Sequence, residues 1–401
     1  MNNSFEQARN LFVQGIADFE AGRFGVAEQN FQASLVLLPG RVSTLTNLAA
    51  AQIILAQPEA ALAALDQAIA SEPDNRDAWW HRGVALGTLG RHVEALAALD
   101  RLLGLAPDHF AGWLRQAQAL QQLDRHEQAL TSCDKALAIT PDDALAWGIR
   151  GHVLKDLRRF DEAAQAFRQA IAHGGDHELN SYFLASVSDQ PTPPASPAAY
   201  VRGLFDGYAE SFDAHLVGVL HYQAHTVLAR HLLSLAGNRR FARVLDLGCG
   251  TGLCGPLVQA VAAQIDGVDL SPTMLDKARA LQVYSLLAQQ DVVAFLQATQ
   301  SRYDLVLAAD VFIYIGDLDA VFAGTARVMD SGGVFCFSIE TPDDVGQDFA
   351  LKTSLRYGQS ETYARALAVR HGFDVVELLH GTIREDQRQP IPGLYVYLRR
   401  S

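Results

Sequence analysis

The residue types best able to do chemistry lie near the middle of the chain, at Asp246-Leu-Gly248-Cys249-Gly250-Thr-Gly252-Leu253 and again at Asp269-Leu270-Ser271. Glycines at 248, 250 and 252 can take positive φ and let a ligand approach the backbone where a Cβ would block it. They follow the apolar run Val244 to Leu247, which has the composition of a strand buried on both faces. A strand-to-helix turn is expected there, with a helix from about Leu253 whose free amides point at the same spot. Such a turn suits a nucleotide-like cofactor. Glycines alone also read as a plain tight turn. Gly250-Thr-Gly252-Leu-Cys-Gly255 further fits the dinucleotide pattern G-x-G-x-x-G, with Asp269 19 residues after Gly250 (269 − 250) as a ribose acid.

Asp246 and the run Asp269-Leu-Ser-Pro-Thr-Met274-Leu tip the balance. Together, V-L-D-x-G-C-G-T-G and D-x-S-x-x-M-L resemble the first two motifs of the class I S-adenosylmethionine-dependent methyltransferases. The resemblance implies S-adenosylmethionine as cofactor, held by Asp246, Gly248, Cys249, Gly250, Gly252 and Leu253, and then by Asp269, Leu270, Ser271 and Met274. Asp269 would accept hydrogen bonds from both ribose hydroxyls. Asp291 and Val292 would meet the adenine, although Asp291 also reads as a helix N-cap. Asp310, at the end of strand four, would meet the ammonium of the cofactor's methionine. Phe205-Asp-Gly-Tyr208-Ala-Glu-Ser-Phe212-Asp resembles a lid segment of one branch of these enzymes, which places Tyr208 and Phe212 over the methionine end; packing onto the sheet is the alternative.

Methyl transfer is a direct displacement at a sulfonium carbon. It needs an aligned acceptor, exclusion of water and, for some acceptors, removal of a proton, and it implies no metal. On the acceptor side, Asp310 is followed by Val-Phe-Ile, so the N-P-P-Y or D-P-P-Y signature of amino methyltransferases is absent. Tyr314, Glu340 and Arg384 remain as candidates, and Arg384 stands in a segment that Pro390 and Gly393 could equally shape into a plain β-hairpin. A nicotinamide-dependent oxidoreductase and a scaffold that has lost activity are the rival functions.

The elements that position these residues follow from length and pattern. A chain of 401 residues exceeds one ordinary core, so two domains are expected. A formal charge of −13 argues against nucleic acid or an anionic membrane as the main partner. The start lacks a basic region followed by an apolar stretch, so a cytoplasmic location is expected. Cys133, Cys249, Cys254 and Cys336 form no C-x-x-C pair, and neither a disulfide framework nor a zinc set is expected.

In the first half, Pro39, Pro73, Pro107 and Pro141 recur every 34 residues (73 − 39, 107 − 73, 141 − 107). Columns of small residues (Gly15, Ala49, Gly83, Ala117, Gly151) and of large ones (Leu11, Leu45, Trp79, Trp113, Trp147; Phe31, Leu65, Leu99, Cys133, Phe167) keep the same step. This resembles tetratricopeptide repeats, in five units at about 8–41, 42–75, 76–109, 110–143 and 144–177. The resemblance places Asn47, Trp80, His81, Arg115, Gln118 and Gln122 near a concave peptide groove; a solvated polar face is the alternative. Four prolines in residues 191–197 favour an extended, semi-rigid spacer.

Beyond it, a helix over about 222–236 and strands at about 243–247, 264–269, 284–289, 303–309, 332–339, 374–382 and 394–399 alternate as a seven-stranded, Rossmann-like, doubly wound sheet. The expected order is a repeat domain over 1–188, a linker over 189–198 and a methyltransferase domain over 199–401, acting on a protein or peptide acceptor brought by the repeats. A small-molecule acceptor, with the repeats used for dimerisation or docking, is the alternative. Acceptor atom, general base and oligomeric state carry no assignment.

Overall fold

A computed structural model describes residues 2–206, 218, 222–343, 346–386 and 389–401. The chain forms two compact units, Met1–Asn180 and Ser181–Ser401.

The first unit is five helix pairs: α1 (Asn2–Glu20) with α2 (Phe24–Leu37), α3 (Val42–Ile54) with α4 (Pro58–Ser71), α5 (Arg76–Thr88) with α6 (His92–Leu105), α7 (Phe110–Gln122) with α8 (His126–Ile139), and α9 (Ala144–Asp156) with α10 (Phe160–Ala172). The proline and tryptophan columns prove to be one contact. The indole N–H groups of Trp79, Trp113 and Trp147 donate to the carbonyls of Pro73, Pro107 and Pro141 at 2.7, 2.8 and 2.8 Å. Each bond ties the start of a first helix to the turn before it. The turn inside each pair needs a left-handed residue, and positions 22, 56, 90, 124 and 158 all have positive φ, although only 22 and 90 are glycine. Packing overrides local preference at Ala56, Asp124 and Arg158.

The small column is equally literal. A Cβ at Gly151 would lie 2.6 Å from the Phe167 ring, and one at Gly83 would lie 2.8 Å from Leu99. Gly151→Ala is therefore expected to destabilise the repeats by roughly 1–3 kcal/mol, because Phe167 is fully buried and cannot step aside. All four tryptophans (79, 80, 113, 147) lie in these helices, so the urea midpoint of tryptophan fluorescence reads this effect. An unchanged midpoint would show that the helices can separate freely.

In the second unit, β1 (Phe241–Leu247), β2 (Ala262–Asp269), β3 (Leu286–Gln289), β4 (Tyr303–Ala308) and β5 (Met329–Glu340) run parallel in the order β3-β2-β1-β4-β5. A long antiparallel hairpin, β8 (Phe373–Asp386) with β9 (Gln389–Arg400), completes the seven, β9 lying against β5. Two three-residue strands, β6 (Phe349–Leu351) and β7 (Tyr357–Gln359), form a further hairpin whose β7 meets the end of β5 at Glu340. They are too short to show alternation, and the sequence pattern did not reveal them. Val244 belongs to one core cluster while Leu245 and Leu247 belong to the other, so successive side chains of β1 are buried on opposite faces, as in a doubly wound sheet.

The division between units falls at Asn180, earlier than the expected 188. Residues 181–197 belong to the second unit and are bonded to it at several points. The Tyr182 hydroxyl donates to the Leu355 carbonyl at 2.6 Å. Ala195 bridges Ile315, and the Pro194 carbonyl accepts from Gly316 N–H and Asp317 N–H at 2.8 and 2.9 Å. The proline-rich stretch is a strap on this unit: proline lacks a donor, yet its carbonyl still accepts. Among the described residues, no helix is long and apolar enough to cross a membrane, and no group of three or more His, Cys, Asp or Glu could hold a metal.

Candidate active site

The turn after β1 is built on three left-handed glycines, each for a different reason. Gly248 has φ +62°, and a Cβ there would lie 2.0 Å from the Val311 side chain. Gly252 has φ +92° and backs onto Leu281 and Tyr284. Gly250 has φ +53° and open space where its Cβ would stand. The backbone at 250 thus presents a bare face, the cradle a cofactor needs. The helix that follows is a single turn, Gly255–Val258, beginning two residues after Leu253.

Asp269, ending β2, clamps this turn. Its carboxylate accepts from Gly250 N–H and from Ser271 N–H, both at 2.9 Å. A carboxylate has about four lone-pair sites, so capacity remains for hydroxyl donors. Burial raises its pKa, and the backbone donors at Ser271, Gly250 and Leu270 oppose that rise. Ser271 Oγ accepts from Met274 N–H at 3.2 Å as a helix N-cap and donates to Asp206 at 2.7 Å. Asp291 caps the helix Val292–Ala298 through Ala294 N–H at 2.9 Å, so the N-cap reading holds at that position. Met274 and Val292 are buried, Cys249 is buried beside Gly267, and Leu253 and Leu270 are half-buried. Tyr208 and Phe212 lie outside the described residues.

Asp246 is buried in the middle of this arrangement and accepts from the Tyr284 hydroxyl at 2.7 Å. Burial pushes its carboxyl up from 3.8 to about 7, with Tyr284 pulling down and the Asp269 charge pushing up. The folded pKa is raised, so the contribution to stability is full below the unfolded pKa near 4 and is lost as pH rises through about 7. Amide exchange of β1, corrected for intrinsic rate, is expected to show roughly 2–3 kcal/mol less protection at about pH 8 than at about pH 5. Asp246→Asn should flatten that slope; an equal slope in the variant would assign the dependence to another group.

At the carboxyl ends of β4 and β5 a second cluster forms. Asp310 holds φ +59°, and its N–H donates to Ser338 Oγ at 2.8 Å. Arg384, 1% exposed on β8, reaches both Asp310 oxygens at 3.1 and 3.2 Å and also pairs with Glu340. Lys352 lies 3.4 Å from Glu340 and 3.3 Å from Asp343. Burial raises the pKa of Asp310, which the Arg384 charge opposes. The hairpin reading of the Arg384 segment holds, with the Arg384 side chain buried against Asp310 and Glu340. Tyr314 sits in the short turn Phe312–Tyr314, edge-on to Phe205 at 5.5 Å, with its hydroxyl pushed up to about 12 by burial. Of the three acceptor-side candidates, Glu340 and Arg384 touch, and Tyr314 is linked to Arg384 and Asp310 only through their charges.

In the first unit, Asn47 lies on α3, Trp80 and His81 on α5, and Arg115, Gln118 and Gln122 on α7. Asn47 donates to the Ser43 carbonyl at 2.8 Å, Trp80 packs 5.0 Å from the His109 ring, and Arg115 lies 3.5 Å from Gln118. Burial lowers the pKa of His81 against the pull of Asp77, while Gln122 is exposed. The sequence reading missed Tyr284, Asp206, Ser338 and Lys352, whose partners lie 38, 65, 28 and 12 positions away. No spacing rule marks such pairs.

The family model for a methyltransferase domain matches residues 244–333, and three tetratricopeptide-repeat models match 48–110, 88–153 and 144–172. Malonyl-(acyl-carrier protein) O-methyltransferase of Enterobacter lignolyticus (strain SCF1) is 29% identical over 158 residues, 38% of this chain and 61% of its own length. Aklanonic acid methyltransferase DauC of Streptomyces sp. (strain C5) is 28% identical over 147 residues, 34% of this chain and 64% of its own. The chain thus spans less than two thirds of either relative. Among solved structures, magnesium protoporphyrin IX methyltransferase (ChlM) from Synechocystis PCC 6803 with bound SAH is 19% identical, with a TM-score of 0.40 over 51% of this chain and 99% of that one. By these family models the chain carries tetratricopeptide repeats over 48–172 and, over 244–333 where the three-glycine turn lies, a class I S-adenosylmethionine-dependent methyltransferase domain.

Proposed function

We propose that the protein transfers a methyl group from S-adenosylmethionine to an acceptor that is, or is carried on, a protein or peptide recruited by the repeats. The observation that carries the cofactor half is the bare face at Gly250, clamped by Asp269. When bound, S-adenosylmethionine supplies an electrophilic methyl group. Asp269 accepts from the ribose hydroxyls with its remaining lone pairs, and Asp291 with the Val292 amide meets the adenine edge. Asp246 and Tyr284 hold the turn in shape from behind, while Gly248, Cys249, Gly252, Leu253, Leu270, Ser271 and Met274 complete its walls. Asp310, Arg384 and Glu340 fix the ends of β4, β5 and β8 against one another, and Asp310 faces the methionine end. Tyr314 stands on the acceptor side.

Support for a recruited acceptor comes from the five helix pairs, whose groove candidates Asn47, Trp80, His81, Arg115, Gln118 and Gln122 would bind an extended segment. Tethering a groove to a catalytic unit raises the acceptor's effective concentration to about the millimolar scale, so weak contact at the active site suffices. One relative is named for an acceptor borne on a carrier protein. Another is named for a small acid, which favours the second reading, a free small-molecule acceptor with the repeats docking elsewhere. Incubating the full-length protein with labelled cofactor and cell extract separates the two. The label should enter macromolecules, with a gain of about 14 Da on the acceptor. A full-length Asn47→Ala, Trp80→Ala, Arg115→Ala variant should keep cofactor affinity and raise the acceptor KM. Label confined to small molecules, with an unchanged KM, would establish the second reading.

A further inference from the structure

The hairpin of β6 and β7 ends in a tight turn over 352–356, closed by Lys352 N–H to the Arg356 carbonyl at 2.8 Å and Leu355 N–H to the Lys352 carbonyl at 2.9 Å. Leu355 holds φ +63°, a strained conformation for a branched side chain. Tyr182 fixes it there by donating to its carbonyl at 2.6 Å. The next residue, Arg356, is half-buried, and among the described residues its guanidinium has neither a hydrogen-bond nor an ion-pair partner. Every other buried or half-buried arginine described in this unit has one. Arg239 meets the Gly332 carbonyl, Arg243 meets Asp266, Arg384 meets Asp310 and Glu340, and Arg400 meets the carbonyls of His371 and Gly372. Nearby acids do not serve Arg356, because Asp310 is engaged by Arg384, Glu340 by Arg384 and Lys352, and Asp343 by Lys352.

Tyrosine rings gather around the same turn. Tyr182 lies 5.6 Å from the Tyr200 ring and 6.4 Å from the Tyr357 ring, and the Tyr357 hydroxyl is buried without a partner. The strap joins them to the acceptor side, since Ser196 Oγ donates to the Tyr182 hydroxyl at 2.9 Å and Ser196 N–H to the Tyr314 carbonyl at 2.9 Å. The Arg356 charge is felt at all of these places. It opposes the rise that burial imposes on Tyr182, Tyr200, Tyr314 and Asp310. A partly desolvated cation left without an anion is costly unless a ligand supplies one. A planar guanidinium takes a carboxylate through two parallel bonds.

We propose that Arg356 anchors a carboxylate of the acceptor, with Tyr200 and Tyr314 flanking the acceptor's flat apolar body. The site selects an acidic acceptor, and the anchored carboxylate sets which atom of that acceptor faces the methyl donor. This rests on the methyltransferase reading for its purpose, but the binding site can be tested without catalysis. Benzoate and benzamide are probes of the same shape that differ in charge. Ligand-observed NMR on the full-length protein, with and without S-adenosylhomocysteine, should show benzoate bound at least about tenfold more tightly than benzamide. Arg356→Gln should abolish that preference, and Arg356→Lys should keep part of it, since the charge remains and the fork is lost. Affinity for S-adenosylhomocysteine should stay within about twofold in both variants, which also verifies that they fold. Equal binding of the two probes to the unaltered protein, or undiminished benzoate binding to Arg356→Gln, would overturn the proposal. If S-adenosylhomocysteine fails to bind while benzoate still depends on Arg356, the anion site stands and the cofactor reading falls.

Discussion

Asp269→Ala is expected to weaken S-adenosylhomocysteine binding by roughly 1.5–3 kcal/mol, about 10- to 150-fold in Kd, the scale for losing hydrogen bonds to a charged group. Two losses contribute. On the proposed cofactor reading the ribose hydroxyls lose their acceptor, and the Gly250 and Ser271 amides lose the carboxylate that holds them at 2.9 Å. Asp269→Asn separates these, because its one carbonyl oxygen can still accept from a single amide, so its affinity should fall between the two. Gly250→Val should be worse than either. A branched residue at φ +53° is strained, and its side chain would fill the open face beside the turn. Calorimetric titration reads all three. Wild-type affinity in a folded Asp269→Ala protein would remove Asp269 from the cofactor site.

Arg384→Leu should cost about 3–5 kcal/mol in the stability of the second unit, since it leaves Asp310 without its partner and Glu340 with Lys352 alone, at 3.4 Å. Asp310 and Glu340 sit within hydrogen-bonding reach of Arg384, and Glu340 is 2% exposed. Protonation of one carboxyl would soften the loss, so the effect should be smaller at low pH. Tryptophan fluorescence is blind to this unit, and amide exchange along β8 and β9 is the suitable measurement. Adding Asp310→Asn and Glu340→Gln to Arg384→Leu should restore much of the protection. Unchanged exchange in the single variant would mean that the pair is held without stabilising the sheet.

The sequence by itself determined the parts whose partners are near neighbours or whose conformation is local. The repeat array is legible because its contacts recur at short range: Trp79 reaches back six residues to Pro73, and Gly151 meets Phe167 sixteen residues on. The glycine turn is legible because positive φ at 248, 250 and 252 is a property of glycine itself. The strands are legible because burial on two faces leaves unbroken apolar runs. Only the tertiary structure decided the rest. Sheet order places β9 against β5 and so carries Arg384 to Asp310, 74 residues away, and to Glu340, 44 away. It likewise brings Tyr182 to Leu355 across 173 residues and turns a proline-rich stretch into a strap. No residue type announces such a partner, because the pairing energy depends on where the crossovers bring two side chains together and on how far they are withdrawn from water.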